Sequence, residues 1–172
     1  DLPAAIGASI ATGRKKRVIC LAGDGSLQMN IQELQTMYHH KLPIKLFVLD
    51  NSGYISIRQT QESFFQGRLT ACGDDCGVSM PDFEQLAKAY KIKTSIIDNH
   101  DFLFDKLSNI LNNDEPEVCH VKLILDYKFL PKVSSEKLAD GTMISKPLED
   151  MYPFLERDEL KENMLIPEYI EK

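Results

Sequence analysis

The sequence predicts an α/β protein with a mostly parallel sheet and helices on both faces, followed by an extended C-terminal arm. Short apolar runs alternate with segments of helical periodicity over the first 126 residues, which is the pattern of βαβ units. After Asp126 the alternation stops, because four prolines and many charges leave no sustained period. We therefore expect a domain over 1–126 and an arm over 127–172.

Four short apolar runs predict the strands of the sheet, near residues 17–22, 44–50, 93–97 and 118–125. The first is continuously apolar from Val18 to Ala22. Such a run is typical of a strand that is buried on both faces of a parallel sheet. The fourth run alternates only in part.

Helical signatures fill the gaps between these runs. Residues 3–12 are rich in alanine, begin with a proline and end just before Gly13. Apolar residues from Met29 to Tyr38, and again over 81–90, recur at helical spacing. A further helix is expected after 98–99, whose Asp and Asn would cap it.

Weaker patterns fill the rest of the chain. A short helix is expected from about Tyr54, a loop over 66–78, and a helical turn within 158–172. The arm is too apolar for a free solvated tail, so we expect it to lie across the domain or on a partner subunit.

Composition excludes several classes of protein. The chain has 172 residues, of which 43% are hydrophobic and 27% charged, and this excludes wholesale disorder. The net charge of −6 disfavours binding to nucleic acid, which needs clustered cations. No apolar run approaches the roughly 18 residues of a membrane span. The start has neither an initiator Met nor a signal-peptide pattern, so we expect a cytoplasmic protein, and a piece of a longer chain.

The cysteines and histidines give no strong signal of a metal site. Cys20 and Cys119 fall within apolar runs and are expected in the core. Cys72 and Cys76 flank a Gly-Asp-Asp turn, but a zinc site is disfavoured because no second Cys or His pair has ligand spacing. The four histidines are scattered.

The informative feature is a pair of polar turns that end the first two strands. The first strand runs into Gly23-Asp24-Gly25-Ser26, and Asn51 ends the second, 27 residues after Asp24. Because parallel strands present their carboxyl ends at one edge, the two turns are expected side by side. Asp24 and Asn51 offer hard oxygen ligands for Mg²⁺, and Gly53 lets its carbonyl approach closely. Backbone N–H groups at the start of a helix suit a diphosphate.

Other phosphate motifs fit worse, but other functions stay open. A Rossmann fingerprint is missing its third glycine, where Gln28 stands, and no Walker A loop occurs. Either turn alone could be an ordinary turn. A phosphate- or nucleotide-binding module without enzymatic activity, and a dimerisation domain in which Asp24 and Asn51 only shape turns, are the alternatives.

Several separated motifs resemble thiamine diphosphate-dependent enzymes of the acetolactate synthase type, in their C-terminal diphosphate-binding domain. Their pattern is Gly-Asp-Gly followed, about two dozen or more residues later, by Asn. Further matching segments, which extend the resemblance to about Val133, are Leu2-Pro3-Ala4-Ala5-Ile6-Gly7-Ala8, Met29-Asn30-Ile31-Gln32-Glu33-Leu34, Leu42-Pro43 and Phe129-Leu130-Pro131-Lys132-Val133.

The resemblance implies thiamine diphosphate and Mg²⁺ as cofactors. Asp24, Asn51 and the Gly53 carbonyl would hold the metal. Gly25 and Ser26 would hold the diphosphate, and the segment from Tyr54 would follow the thiazolium ring. The full set of implied cofactor-binding residues is Gly23, Asp24, Gly25, Ser26, Asn51, Gly53, Tyr54, Ile55 and Ser56.

The resemblance also implies what the longer parent does. It would act on 2-oxo acids by decarboxylation or carboligation. The cofactor-activating Glu would lie in an N-terminal pyrimidine-binding domain, and each active site would form between two subunits. We therefore expect a homo-oligomer, dimeric or tetrameric, no catalytic residue in this chain, and no activity from the chain alone.

Two positions depart from that family and are candidate substrate-side residues. Thr60 stands where the synthases carry Trp, and Ser56 where they usually carry Met. The pocket would therefore be more polar and roomier, and we hypothesise that a hydroxylated acceptor is preferred to 2-oxobutyrate. Residues 53–61 and the arm over 140–151 also resemble synthase-like proteins linked to surface-polysaccharide biosynthesis.

Overall fold

The computed structural model describes residues 1–125, 127 and 129–166, in two compact units, Asp1–Tyr127 and Lys128–Lys172. The elements of the first unit are α1 (Leu2–Ala11), β1 (Val18–Gly23), α2 (Asp24–Gln28), α3 (Glu33–His39), β2 (Ile44–Asp50), α4 (Ile55–Phe64), a 3₁₀ turn (Asp74–Cys76), α5 (Phe83–Ala89), β3 (Lys93–Ile97), α6 (Leu103–Leu111) and β4 (Glu117–Lys122). Those of the second are β5 (Ser135–Lys137), β6 (Met143–Ser145) and α7 (Arg157–Asn163).

Four parallel strands form the sheet of the first unit, in the order β1-β2-β4-β3. Val18 pairs with Ile44 at one end of the β1–β2 ladder and Gly23 with Leu49 at the other. The two strands therefore end level with each other, and the residues that follow them meet at the carboxyl edge of the sheet.

Helices cover both faces of this sheet, as the sequence predicts. Successive side chains of a strand point to opposite faces. Leu46 and Val48 of β2 therefore join the large cluster that includes residues of α1, α3 and α5, whereas Phe47 joins a smaller one with Ile110 of α6. Each fully buried Leu or Phe in these clusters contributes about 1.5–3 kcal/mol to stability.

The prediction that β1 is buried on both faces is wrong. Cys20 and Ala22 are buried, but Ile19 and Leu21 on the opposite face are 55% and 63% exposed. The reason is position: β1 is an edge strand, and the cluster around α6 draws its strand residues from β2, β3 and β4.

Three other boundaries also differ from the predictions. Of the helix expected from Met29 to Tyr38, only α3 forms, because the chain from Met29 to Gln32 is a turn that follows α2, and Met29 lies 67% exposed in it. Asn99 accepts the N–H of Asp101 in a local turn, and Phe102 precedes α6 instead of an Asp or Asn cap. The last strand ends at Lys122 and not at 125, because its partner β2 ends at Asp50, whose carbonyl accepts the N–H of Leu123 as the last bond of the ladder.

The second unit consists of the β5–β6 hairpin, α7 and the chain around them. Asp150 is the most buried charged residue described in this unit and binds Arg157 and Lys146. Leu130, Val133 and Leu148 are 47%, 55% and 70% exposed, and the placement of the arm on the domain or on a partner stays a prediction. The helical turn predicted within 158–172 corresponds to α7, while residues 167–172 lie outside the described part. Among the described residues, no helix combines the length and apolarity that crossing a membrane requires.

Candidate functional site

One buried carboxylate joins the two turns at the carboxyl edge of the sheet. Asp24, the first residue after β1, is 3% exposed. Its Oδ1 accepts the N–H of Gly25 at 2.7 Å, and its Oδ2 accepts the N–H of Gly53 at 2.8 Å. Because each oxygen binds a different turn, Asp24 fixes the loop after β2 against the loop after β1.

Asn51 supplies a second oxygen at the same edge. Its Oδ1 is buried and accepts no hydrogen bond from any described residue. A buried acceptor without a donor costs about 1–3 kcal/mol, and a bound cation would remove that cost. Among the described residues, no group of three or more His, Cys, Asp or Glu side chains is arranged to hold a metal. The donors at this edge are instead a carboxylate, an amide oxygen and backbone carbonyls, which suit Mg²⁺.

The glycines of both turns are required by packing. At Gly53, where φ is +149°, a Cβ would collide with the carbonyl of Cys72. At Gly25 it would collide with the ring of Tyr54. Only a residue without a side chain allows these two close approaches, of Gly53 to the Cys72 backbone and of Gly25 to the Tyr54 ring. The turns at 23–26 and 51–54 therefore pack tightly together, and we call them the cradle.

The carboxylate of Asp24 interacts with a second carboxylate, that of Asp50. Burial, together with the neighbouring Asp50, raises the pKa of Asp24 against the effect of its two backbone donors. Burial also opposes ionisation of Asp50, but hydrogen bonds from His120 and Ser52 outweigh it and lower the pKa of that group. None of the lysines and arginines in the described part of the chain forms an ion pair with Asp24. A divalent cation at this edge would stabilise its buried negative charge.

A cavity of about 280 Å³ opens beside the second turn. It is lined by Asn51, Ser52, Gly53, Ile55, Arg58, Cys72, Asp74, Asp75 and Leu125. Asn51, whose Oδ1 has no partner among the described residues, therefore lines a cavity large enough for part of a small molecule.

Residues 1–121 match the family model described as thiamine pyrophosphate enzyme, C-terminal TPP binding domain. The chain belongs to the thiamine pyrophosphate enzyme family. It is 39% identical over 122 residues to the acetolactate synthase isozyme 2 large subunit of Escherichia coli K12, covering 71% of this chain and 22% of that protein. It is 34% identical over 146 residues to the acetolactate synthase large subunit of Parasynechococcus marenigrum, covering 85% of this chain and 23% of that one.

Solved structures agree with this assignment. The thiamine diphosphate-dependent 4-hydroxybenzoylformate decarboxylase of Rhodococcus jostii RHA1 superposes with a TM-score of 0.62 at 28% identity, over 73% of this chain and 23% of that one. Benzoylformate decarboxylase from Polynucleobacter necessarius gives 0.64 at 27% identity, over 76% and 24%. The chain thus spans less than a quarter of the length of these proteins, and corresponds to the TPP-binding C-terminal domain of acetolactate synthase-like enzymes.

Within this TPP-binding domain, the structure brings some of the predicted site residues together and leaves others apart. Gly23 precedes α2, and Ser26 is exposed on that helix. Ser56 and Thr60 lie one turn apart and exposed on α4, where the Thr60 hydroxyl donates to the Ser56 carbonyl at 2.9 Å. No described hydrogen bond connects these two residues with the Asp24 turn.

Sequence reasoning missed His120, which supports the site from β4. Its Nε2 lies 2.7 Å from Oδ2 of Asp50, while its buried Nδ1 has no hydrogen-bond partner among the described residues and lies 3.9 Å from Oε1 of Glu84. The ring also packs edge-on against Phe83. The sequence held one hint of its role, since His120 is the polar residue within the apolar run 118–121. That it lies next to Asp50 follows only from the order of the strands.

Proposed function

We propose that the paired turns bind Mg²⁺ and, through it, the diphosphate of thiamine diphosphate. The buried Oδ1 of Asn51, for which the described part of the chain offers no donor, carries this proposal. The carboxylate of Asp24, this amide oxygen and the carbonyl of Gly53 are the protein ligands we assign to the metal. Family membership supports the cofactor, and the hard oxygen donors support the metal.

The remaining cradle residues would bind the rest of the cofactor. Gly25 and Ser26 are assigned to the diphosphate, and Tyr54, Ile55 and Ser56 to the side of the thiazolium ring. Ile55 offers an apolar surface in the cavity. When bound, thiamine diphosphate supplies the electron sink for breaking or forming a bond at the carbonyl carbon of a 2-oxo acid. This chain binds and orients it.

The longer parent is proposed to decarboxylate or ligate 2-oxo acids, as the names of its relatives suggest. A pyrimidine-binding domain would complete each site within a homo-oligomer. The isolated chain is then inactive on pyruvate, and robust turnover by it would contradict this account. Cytoplasmic location belongs to the same proposal.

The acceptor of the parent is proposed to carry hydroxyl groups. Ser56 and Thr60 place two hydroxyls on one exposed face of α4. Thr60 donates its proton to a backbone carbonyl, which leaves its oxygen free to accept a hydrogen bond. A site that bonds a hydroxyl rejects analogues without one strongly.

Ligand-induced stabilisation tests the binding proposal. Unfolding of the full chain is followed by thermal shift with thiamine diphosphate, ADP or NAD, each with Mg²⁺ and with EDTA. We expect stabilisation by thiamine diphosphate only, and only with Mg²⁺. Stabilisation by ADP or NAD instead would favour the nucleotide-binding alternative. An Asp24→Ala variant that responds like the wild type would favour a purely structural role for this turn.

A further inference from the structure

Two thiols that the proposed function does not use lie in contact beside the site. Sγ of Cys72 and Sγ of Cys76 are 3.2 Å apart, and both residues are free cysteines. The N–H of Cys72 donates to Sγ of Cys76 at 3.3 Å, and the Cys76 thiol donates to the carbonyl of Gly73 at 3.4 Å. The 3₁₀ turn at Asp74–Cys76 therefore folds the second thiol back onto the first.

This loop is the support of the second turn of the site. The N–H of Tyr54 donates to the carbonyl of Cys72 at 2.9 Å, and Gly53 forms an antiparallel bridge with Gly73. A Cβ on Gly53 would collide with that same Cys72 carbonyl. Any change in the mobility of the loop around Cys72 is thus transmitted to Gly53 and Tyr54 through direct backbone contacts.

The surroundings of the two thiols suit stepwise oxidation. Cys76 is partly exposed, whereas Cys72 is 2% exposed, so a reagent reaches Cys76 first. A disulfide has an S–S length near 2.05 Å, so the sulfurs need to approach by only about 1 Å.

We propose that Cys72 and Cys76 form a reversible intrachain disulfide that clamps the loop supporting Gly53 and Tyr54. The oxidant is a small-molecule disulfide. The Cys76 thiolate attacks one of its sulfurs and releases one small thiol, which leaves a mixed disulfide. The sulfur of Cys72 then attacks Sγ of Cys76 and releases the second small thiol, so two protein thiols are oxidised while one disulfide is reduced. The protons of the two cysteines leave on the two small thiols.

The clamp acts by restricting the opened loop. A cross-link lowers the conformational entropy of the open state, so local opening around Cys72 becomes rarer. The amide of Tyr54 reports this directly, because its hydrogen bond ends on the Cys72 carbonyl. A cradle that opens less often is also better preorganised for its ligand. This effect on binding rests on the proposed function, whereas the disulfide and the slower opening do not.

The test compares the full chain after treatment with oxidised glutathione and after reduction. We expect a peptide cross-linked between Cys72 and Cys76, while the buried Cys20 and Cys119 stay reduced. Exchange of the Tyr54 amide, followed by NMR, should slow by on the order of tenfold and recover on reduction. Cys76→Ser should exchange like the reduced wild type under both conditions, and Cys72→Ser serves as the second variant.

Two results would overturn the clamp: failure of the pair to form a disulfide, or a disulfide that leaves Tyr54 exchange unchanged. Binding of thiamine diphosphate with Mg²⁺ is measured on both forms, and we expect tighter binding when oxidised. If neither form binds the cofactor, the proposed function fails, while the cross-linked peptide and the Tyr54 exchange still decide the clamp.

Discussion

The carboxylate of Asp24 accepts the N–H of Gly53 over 2.8 Å, across 29 residues of sequence. This bond exists because β1 and β2 end in register, with Gly23 opposite Leu49. It leaves the side chain of the intervening Asn51 with a buried oxygen that no described residue satisfies. The same bond therefore fixes the turn at Gly53 and prepares a ligand.

Gly53→Ala should destabilise the chain by about 2 kcal/mol or more, because the new Cβ meets the Cys72 carbonyl at a φ of +149°. Gly7→Ala is the matched control. Gly7 lies within α1, and a Cβ there meets nothing within 4 Å. The higher helix propensity of Ala should therefore raise the free energy of unfolding of Gly7→Ala by about 0.5–1 kcal/mol. Urea unfolding measures both. Equal stability of the two variants would show that the turn at Gly53 is not tightly packed.

Glu117→Gln should cost about 3 kcal/mol. Glu117 is 1% exposed and pairs with the fully buried Lys45, whose ammonium lies 3.2 Å away. Removing the carboxylate leaves a buried ammonium without its counter-charge. Lys93→Gln is the control, since Lys93 binds the same carboxylate with a side chain that is 51% exposed, and should cost less than about 1 kcal/mol. Both variants are measured by denaturant unfolding. A larger loss of stability in Lys93→Gln than in Glu117→Gln would contradict the buried ion pair of Glu117 with Lys45.

The arm should loosen in acid through Asp150. Hydrogen bonds from Arg157, opposed by burial, lower the pKa of Asp150. Because the folded pKa lies below the unfolded value of about 3.9, the stabilisation is complete above that value and is lost as the pH falls through the folded pKa. The amide of Tyr152 donates to the carbonyl of Lys132, and its protection, which is the ratio of the intrinsic to the observed exchange rate at each pH, should then fall. Asp150→Asn should abolish this pH dependence; an unchanged profile would refute the assignment.

Thr60→Trp in the full-length enzyme tests the polar pocket. The substitution removes a hydroxyl and fills space on the exposed face of α4. We expect use of 2-oxobutyrate, relative to a hydroxylated aldehyde, to rise on the order of tenfold or more, as measured by kcat/KM for each acceptor. Thr60→Val, which removes only the hydroxyl, separates polarity from size. If the wild type already makes acetohydroxybutyrate efficiently and Thr60→Trp changes nothing, Thr60 only packs.

The sheet was predictable from the sequence because short apolar runs between polar turns determine its strands. The predictions failed where contacts between distant parts of the chain determine the exposure of a strand or the start of a helix. Nothing local marks β1 as an edge strand, so the exposure of Ile19 and Leu21 could not be read from its apolar run. Likewise, Met29 belongs to the apolar series from Met29 to Tyr38 that predicted a helix, but it lies in the turn between α2 and α3.

For the site, spacing predicted that Asp24 and the turn after β2 would lie together, since parallel strands share a carboxyl edge. It could not predict that β4, rather than β3, lies next to β2. His120 therefore reaches Asp50 in a way that depends on strand order alone. The contact of Cys72 with the Gly53 turn likewise depends on how a loop folds back, which its composition does not show.

Binding of Mg²⁺ and thiamine diphosphate to the Asn51→Ala variant tests the central claim most directly. Because Oδ1 of Asn51 has no hydrogen-bond partner among the residues that the structure describes, removing the amide should leave the free energy of unfolding unchanged or slightly higher without ligand. Calorimetric titration should then show affinity reduced on the order of tenfold or more, which corresponds to about 1.4 kcal/mol. Wild-type affinity in this variant, or a loss of stability that accounts for weaker binding, would contradict the metal site.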